Sequence, residues 1–372
     1  MAPTSTTTTT TVNPMDATDL PPFPDDVPMH PLLVIDYALI KERNPEETER
    51  LWTAATKLGF WYLKNHGVDE DVRGMFDMGA ETMALPMEEK MKYEIGNEGL
   101  SFGYKAAGTN VIDPNGTLDN AQVLNVAKDD ALAWPAQARR SYPSTVNARM
   151  ERTIKPFVER SLAVNNTLLD ALNDKLGLPR GTLAQLHPRE EYSASEARVL
   201  FSPPVVSRQV ISAHTDFGSL SFLHNRLGGL QVLVPGAESW QYVKPIPGHA
   251  ICNLGDAMAI LSGGILRSNL HRVMNPPGLQ SAHYRFSLVY FTRPGNSVVL
   301  RAFTDSSPLI ADAVMRAPDP TKYETGMTAF EWFTMRVKNQ RMANYKGPEK
   351  WLASRGTEHM HTQVAVGPSS VY

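Results

Sequence analysis

His214 and Asp216 lie two residues apart in the short predicted strand VISAHTD. Side chains two positions apart on a strand project to the same face, so an imidazole and a carboxylate can reach one metal ion together. If a later strand supplies a second histidine, the three ligands occupy one face of an octahedron and leave three adjacent positions open. Such a site lets iron(II) bind a co-substrate and dioxygen together and is typical of oxygenases. A His-x-Asp pair alone is more often a hydrogen-bonded core or surface pair.

The segment around this pair has the pattern of an antiparallel β-domain. After residue 191 the sequence consists of short β-prone runs bounded by Gly, Pro and Asn, with no helices of ordinary length between them. The predicted strands are ARVLFS, VISAHTD, SLSFLH, GLQVLV, WQYVKP, HAICNLGD, AMAIL, HRVMN and RFSLVYFTR. We expect an antiparallel sandwich or barrel here, with Asn253, Gly255 and Asp256 in a structural turn.

Other elements must support this β-domain from both ends of the chain. LLVID and FWYLKNHGV are predicted strands, and helical patterns begin near Pro45 and Asp69. The apolar spacing over residues 144–178 predicts one long buried helix. A capping box at Thr328 begins a closing helix that we expect to end at Gly347.

These elements predict five regions along the chain. They are a disordered tail rich in threonine and proline (1–28), an N-terminal region (29–143), a long supporting helix (144–180), the catalytic β-domain (190–300) and a C-terminal helix with a loose tail (301–372).

Composition narrows the possible partners and locations. The 36 basic and 39 acidic side chains are nearly balanced, so neither nucleic acid nor an anionic membrane is expected as a partner, and a small molecule is. The single cysteine, Cys252, cannot form an internal disulfide, and no apolar run reaches the roughly 20 residues of a membrane helix. The first residues lack Lys, Arg and an apolar core. We expect a cytoplasmic monomer or weak homo-oligomer.

Six motifs occur in a familiar order: HTDFGSLSFL, GGLQVLV, a W-x-x-V-x-P-x-x-G run, CNLGDAM, SNLHRV and RFSLVYF. In this order they resemble the isopenicillin N synthase-like family of iron(II)/2-oxoglutarate-dependent dioxygenases. LLVIDY, LGFWYLKNHGV and LPMEEKMKY resemble the N-terminal region of the same family, so the likeness covers about residues 31–345. The resemblance implies a jelly-roll core, a double-stranded β-helix, with flanking α-helices.

The resemblance also implies a ligand for each part of the site. His214, Asp216 and His271 would bind the iron. Arg285 and Ser287 look like the Arg-x-Ser pair of the family, and because they face the same way on a strand, they can hold the distal carboxylate of 2-oxoglutarate. Plant members often carry Asn-x-Tyr before the first ligand strand, whereas this chain has Leu200 and Ser202 there. The shorter Ser202 hydroxyl would bind 2-oxoglutarate through a bridging water.

The substrate pocket is expected beside the open iron positions. Family position assigns it Val123, Asn125, Arg198 and Phe291, and strand alternation from Arg285 independently places Phe291 on the inner face. We further expect Phe102 and Tyr104 to suit a flat or apolar substrate, although aromatic residues are as often core.

The predicted enzyme is therefore an iron(II)/2-oxoglutarate-dependent dioxygenase. It would oxidise a small organic molecule by hydroxylation, demethylation, desaturation or ring closure, while dioxygen and 2-oxoglutarate are converted to products that include succinate. Secondary metabolism is the expected setting. One alternative is a 2-oxoglutarate-independent iron oxidase of the isopenicillin N synthase type. Another is a non-catalytic jelly-roll binding protein.

Overall fold

Two facing β-sheets form the core of the fold in the computed structural model, which describes residues 20–204, 209–237 and 239–357. The strands are β1 (Val34–Asp36), β2 (Phe60–Lys64), β3 (Gly103–Lys105), β4 (Gln122–Ala127), β5 (Glu196–Ser202), β6 (Gln209–His214), β7 (Leu220–Asn225), β8 (Leu230–Leu233), β9 (Trp240–Tyr242), β10 (His249–Leu254), β11 (His271–Met274), β12 (Arg285–Thr292), β13 (Val299–Arg301) and β14 (Glu324–Thr328).

The helices come mainly before and after the strands of the β-domain. They are α1 (Tyr37–Lys41), α2 (Pro45–Lys57), α3 (Asp69–Met83), α4 (Met87–Met91), α5 (Lys128–Ala133), α6 (Ser144–Asn147), α7 (Lys155–Lys175), α8 (Thr182–Gln185), α9 (Asp256–Leu261), α10 (Pro308–Arg316), α11 (Ala329–Gln340) and α12 (Pro348–Ala353). None of the helices in the described ranges is both long and apolar enough to cross a membrane.

The larger sheet has eight strands in the order β1-β2-β10-β7-β12-β5-β4-β3, and the smaller has four in the order β6-β11-β8-β9. Neighbouring strands are antiparallel except β1 and β2. The inner faces meet through apolar clusters, one of which joins Val123 and Leu200 of the large sheet to Val210 and Val273 of the small one. The predicted jelly-roll core is therefore confirmed, and strands from the N-terminal region widen its larger sheet.

Strand alternation on β12 separates the site from the structural core. Arg285, Ser287, Val289 and Phe291 face the cavity between the sheets. The intervening residues, such as Leu288, belong to the main apolar core, in which the outer face of the sheet packs against α2, α3 and α7. The large sheet thus packs against helices on one side, while its other side faces the cavity between the sheets.

One predicted strand is wrong, because AMAIL forms α9. The Gly255 nitrogen donates to Ser219 O, and the Asp256 nitrogen donates to Asp216 O, which starts the helix directly behind the turn after β6. All six residues of α9 are buried, so the segment has no polar face to distinguish a helix from a strand in the sequence.

Two helices also differ from their predicted bounds. The long helix is interrupted, because α6 is followed by a π-helical turn over Met150–Ile154 before α7 begins. Pro156 at the start of α7 has no N–H to donate to the carbonyl four residues earlier, so the α-helical ladder cannot run through this point. At the other end, α11 has the predicted Thr328 capping box but ends at Gln340 rather than at Gly347.

Parts of both predicted tails are ordered. Residues 1–19 and 358–372 lie outside the described residues, but Phe23 is buried and stacks edge-on against Tyr242 of β9. Ser354, Arg355 and Thr357 are also buried. The prediction of a loose C-terminal tail therefore fails for residues 354–357, which pack behind the candidate site.

Candidate metal centre and its cavity

The structure brings His214, Asp216 and His271 together at one end of the small sheet. His214 ends β6, and His271 begins β11 directly opposite it in the antiparallel register. Asp216 Oδ1 lies 3.8 Å from His214 Nε2 and 3.7 Å from His271 Nε2. One ligand atom from each of the three residues lies within 4.8 Å of the others, close enough to share one metal ion.

Backbone carbonyls orient both imidazoles toward that shared point. Nδ1 of His214 lies 2.7 Å from Ser212 O, and Nδ1 of His271 lies 3.1 Å from Asn269 O. A carbonyl oxygen can only accept, so Nδ1 carries the proton and donates in both rings. The Nε2 lone pairs are therefore free for a metal. In metal-binding histidines the other ring nitrogen usually donates to a carbonyl or carboxylate in this way, which fixes the tautomer.

Asp216 lies beyond the end of β6 rather than on it, so the prediction that strand alternation sets the direction of its side chain is wrong. Two donors from the large sheet hold the carboxylate instead. Asn253 Nδ2 and Ser221 Oγ donate to Asp216 Oδ2 at 2.7 and 2.5 Å, which leaves Oδ1 facing the histidines. Asn253 and Ser221 are opposite one another on the neighbouring strands β10 and β7, so one cross-strand pair fixes the orientation of the Asp216 carboxylate.

Burial and polar contacts keep His214 and Asp216 in the protonation states that bind a metal. Burial, and secondly the neighbouring His271, lower the pKa of His214 well below its ordinary value. Burial would raise the pKa of Asp216, but the two histidines and the hydrogen bonds from Asn253 and Ser221 outweigh it and lower the pKa overall. A neutral imidazole and an ionised carboxylate are the forms that bind a metal, so few protons compete with a metal at His214 and Asp216 near neutral pH.

Replacing Asn253 with alanine is expected to weaken metal binding about 10- to 100-fold, because it removes a donor that aims Asp216. The affinity for iron(II) can be measured anaerobically by titration calorimetry. Asn115→Ala, at an exposed turn, is the matched control and should leave the affinity unchanged. Equal affinities in the two variants would show that Asn253 has only a structural role, as the sequence analysis assigned.

A buried ion pair supports the metal-binding turn from behind. Arg336 of α11 donates to Asp256 Oδ2 at 2.5 Å, and neither side chain is exposed to solvent. The same Asp256 carboxylate accepts from Thr215 and Thr357 hydroxyls. Arg355 adds a bond from Nη1 to Ala213 O at 2.5 Å. Residues on both sides of His214 are thus bonded to the C-terminal part of the chain.

Arg336→Leu is expected to lower the free energy of unfolding by about 3–5 kcal/mol, because the carboxylate of Asp256 would stay buried without its cation. Urea unfolding followed by circular dichroism measures this loss. Lys338→Leu on the same helix removes only an exposed contact to Glu98 and should cost less than about 1 kcal/mol. A loss of similar size in both variants would contradict the supporting role of the buried pair.

Arg285 and Ser287 face the same cavity as the three candidate ligands. Nη1 of Arg285 donates to Ser287 Oγ at 2.5 Å, and Nε donates to Gly228 O at 2.7 Å. No carboxylate pairs with Arg285 anywhere in the described residues, and burial lowers the pKa of Arg285 to about 10. Ser202 is opposite Arg285 on β5, and its buried hydroxyl has no hydrogen-bond partner among the described residues, but it does not line the cavity. A buried guanidinium without an acid favours an anionic ligand.

Four of the six predicted pocket residues line this cavity and two do not. Val123, Asn125, Arg198 and Phe291 line it. Tyr104 points away because its neighbour Lys105 faces the cavity, and the Tyr104 hydroxyl donates to Gln122. Phe102 instead packs against the guanidinium of Arg139. We therefore leave Phe102 and Tyr104 out of the candidate pocket.

Several cationic residues of the cavity were not predicted from the sequence. The lining includes Lys105 from β3, Arg293 just after β12, Arg341 after α11 and Arg355 near the end of the described chain. These residues are far apart in sequence, and no short motif links them. Only the packing of the N- and C-terminal regions against the β-domain brings them to one place.

Family models match two segments of the chain. Residues 32–146 match the N-terminal region of the non-haem dioxygenases in morphine synthesis, and residues 192–294 match the 2OG-Fe(II) oxygenase superfamily. All three candidate metal ligands and the Arg285–Ser287 pair lie in the second segment.

Proteins similar to this chain match it over most of its length. A 2-oxoglutarate-dependent dioxygenase of Aspergillus fumigatus is 28% identical over 357 residues, which cover 87% of this chain and 90% of the relative. Leucoanthocyanidin dioxygenase of Vitis vinifera is 30% identical over 71% of this chain and 70% of the relative. The crystal structure of Neurospora crassa T7H with alpha-KG and thymine superposes with a TM-score of 0.67 at 21% identity, covering 84% and 97% of the two chains, and shows a shared fold.

Proposed function

The chain belongs to the 2OG-Fe(II) oxygenase superfamily, and on that basis we propose that His214, Asp216 and His271 bind its iron(II). The protein is an oxidoreductase that uses iron(II), 2-oxoglutarate and dioxygen to oxidise a small molecule. The donor set supports the ligand assignment, because two imidazole nitrogens and one carboxylate oxygen are the ligands that non-haem iron oxygenases use.

Arg285 is the observation that carries the co-substrate assignment. Its guanidinium is buried in the cavity of the three ligands and has no acidic partner in the described structure, so the distal carboxylate of 2-oxoglutarate would supply the missing charge. Ser287 adds a hydroxyl on the same face. We assign Ser202 an indirect contact through an ordered water, because its hydroxyl has no hydrogen-bond partner among the described residues and lies opposite Arg285 on the same face of the sheet, just outside the cavity lining.

When bound, iron(II) and 2-oxoglutarate supply the activation of dioxygen, in which the co-substrate loses carbon dioxide and becomes succinate as the substrate is oxidised. The chain's own residues orient and enclose the reactants. Asn253 and Ser221 aim Asp216, Arg285 fixes one end of the co-substrate, and the apolar side chains of Val123 and Phe291 exclude water from the reacting carbon.

Anaerobic addition of iron(II) and 2-oxoglutarate tests this proposal. We expect a visible charge-transfer band that requires both components. In air and without substrate, slow formation of succinate from 2-oxoglutarate is expected, whereas an oxidase that takes all its electrons from its own substrate would form none. Absence of both the band and the succinate would overturn the assignment of the co-substrate site.

We propose a monomer or weak homo-oligomer in the cytoplasm that contacts neither nucleic acid nor a membrane. The near balance of 36 basic and 39 acidic residues supports the lack of nucleic-acid and membrane contacts, because it gives no extended field of one sign to attract a polyanion.

A further inference from the structure

The candidate active-site cavity is lined by an excess of cations. In the described lining, Lys105, Arg198, Arg285, Arg293, Arg341 and Arg355 oppose only Asp119 and Asp216. Lys105 pairs with Asp119, and Arg341 pairs with Glu94 behind the wall. These two pairs are internally neutral, so the excess must come from the other arginines.

Arg198 and Arg293 share a single carboxylate. Both guanidinium groups donate to Oε1 of Glu196, at 2.7 and 3.2 Å, and Glu196 is fully buried. They also flank the ring of Phe291, with their central carbons 4.9 and 4.8 Å from its centroid. This cluster therefore has one uncompensated positive charge, and cation–π stacking holds it in place.

Arg355 contributes a second uncompensated charge. Its hydrogen bonds run to hydroxyl and carbonyl oxygens of Ser212, Ala213 and Ser354, and no acid pairs with it among the described residues. The charges of iron(II) and 2-oxoglutarate cancel, and Arg285 offsets Asp216. With the metal and co-substrate in place, the cavity would thus keep about two positive charges, from Arg355 and from the cluster on Glu196.

Of these groups, Arg198 is, in the described part of the chain, the one with an accessible donor left for a ligand. About 26% of its side chain is exposed, and on the interior strand β5 that surface faces the cavity. Nε donates to Asn125 and Nη2 to Glu196, whereas Nη1 has no partner within the described structure. The bonds to Asn125 and Glu196 hold the free edge of the guanidinium in a fixed orientation, which reduces the entropy lost on binding.

We infer that the substrate is a carboxylic acid with an apolar body, and that its carboxylate binds Nη1 of Arg198. This inference rests on the proposed function and specifies its substrate class. The apolar body would contact Val111, Val123, Leu200 and Val337, which line the same cavity. A carboxylate would neutralise the Glu196 cluster, whereas a cationic substrate would meet repulsion from both uncompensated arginines.

The test uses the full chain loaded with redox-inert Zn(II) and saturating 2-oxoglutarate, so that Arg285 is already occupied. The probes are a panel of arylalkanoic acids, including 3-phenylpropionate, each paired with its primary amide. Binding is measured by saturation-transfer NMR with titration. We expect the acids that bind to do so at least about tenfold more tightly than their amides.

Arg198→Met should remove this preference for acids and leave the affinity for the amides unchanged. Arg198→Lys should retain part of it, and Arg301→Met, at an exposed pair outside the cavity, should retain all of it. Equal binding of acids and amides, undiminished preference in Arg198→Met, or binding by no acid of the panel would overturn the inference. Binding of 2-oxoglutarate in the same samples separates the outcomes, because its loss in the wild type would instead contradict the proposed function.

Discussion

His214→Ala is expected to abolish both iron binding and turnover. The substitution removes one of three protein ligands, and the remaining two cannot hold the ion on one face of its coordination shell. The loss of iron affinity should exceed the roughly 10- to 100-fold that follows removal of an outer hydrogen-bond partner. Anaerobic titration with iron(II) measures the affinity, and succinate formation measures turnover.

The matched control is His283→Ala, since His283 is partly exposed and does not line the cavity. This variant should bind iron and turn over like the wild type. Survival of turnover in His214→Ala would show that the ligand assignment is wrong. Loss of activity in both variants would point to a general effect of removing histidines rather than to a metal site.

Arg285→Met is expected to weaken 2-oxoglutarate binding by about 2–5 kcal/mol, which is at least about 30-fold, while iron still binds. The methionine keeps the length and apolar stem of the arginine but cannot donate to a carboxylate. The charge-transfer band should therefore need far more 2-oxoglutarate to reach half its intensity. Arg316→Met, at a surface helix pair with Asp312, should leave that concentration unchanged.

The melting temperature of Arg285→Met is a second measurement, which separates a role in ligand binding from a role in folding. Burial lowers the pKa of Arg285 to about 10, so the folded, ligand-free protein disfavours its charged form, and the cost is present at every pH below that value. Removing the charge should therefore leave the melting temperature of the ligand-free protein equal or higher. A large fall in melting temperature would mean that Arg285 is chiefly a structural residue.

The elements with strong local signals could be predicted from the sequence. Helix α3 begins at Asp69 as predicted, and Thr328 begins α11 with the predicted capping box. Both depend on interactions between residues close in the chain. In contrast, α9 was predicted as a strand, because a short, fully buried apolar run carries no periodicity that distinguishes the two conformations.

The candidate site likewise contains residues that could be predicted from the sequence and residues that could not. His214 and Asp216 are close neighbours in sequence, and the family resemblance, which includes the SNLHRV motif, implies His271 as the third ligand. The role of Asn253 could not be derived, because its contact with Asp216 depends on how β10 and the turn after β6 meet in space. A polar residue on the inner face of an otherwise apolar strand was the available signal. The cationic residues of the cavity could not be predicted in this way, because they are far apart in sequence, from Lys105 on β3 to Arg355.

The bonds from Arg336 and Arg355 to the metal-binding turn have a consequence for biosynthesis. Nη2 of Arg336 donates to Thr215 O across 121 positions of sequence, and Arg355 reaches Ala213 across 142. During synthesis, β6 emerges from the ribosome long before these arginines are made. The strand that carries His214 therefore at first lacks the contacts that hold it in the finished enzyme. Iron loading should therefore follow chain termination, and a premature stop codon before Ser354 would yield a protein with most of its β-domain but a weakened hold on the metal.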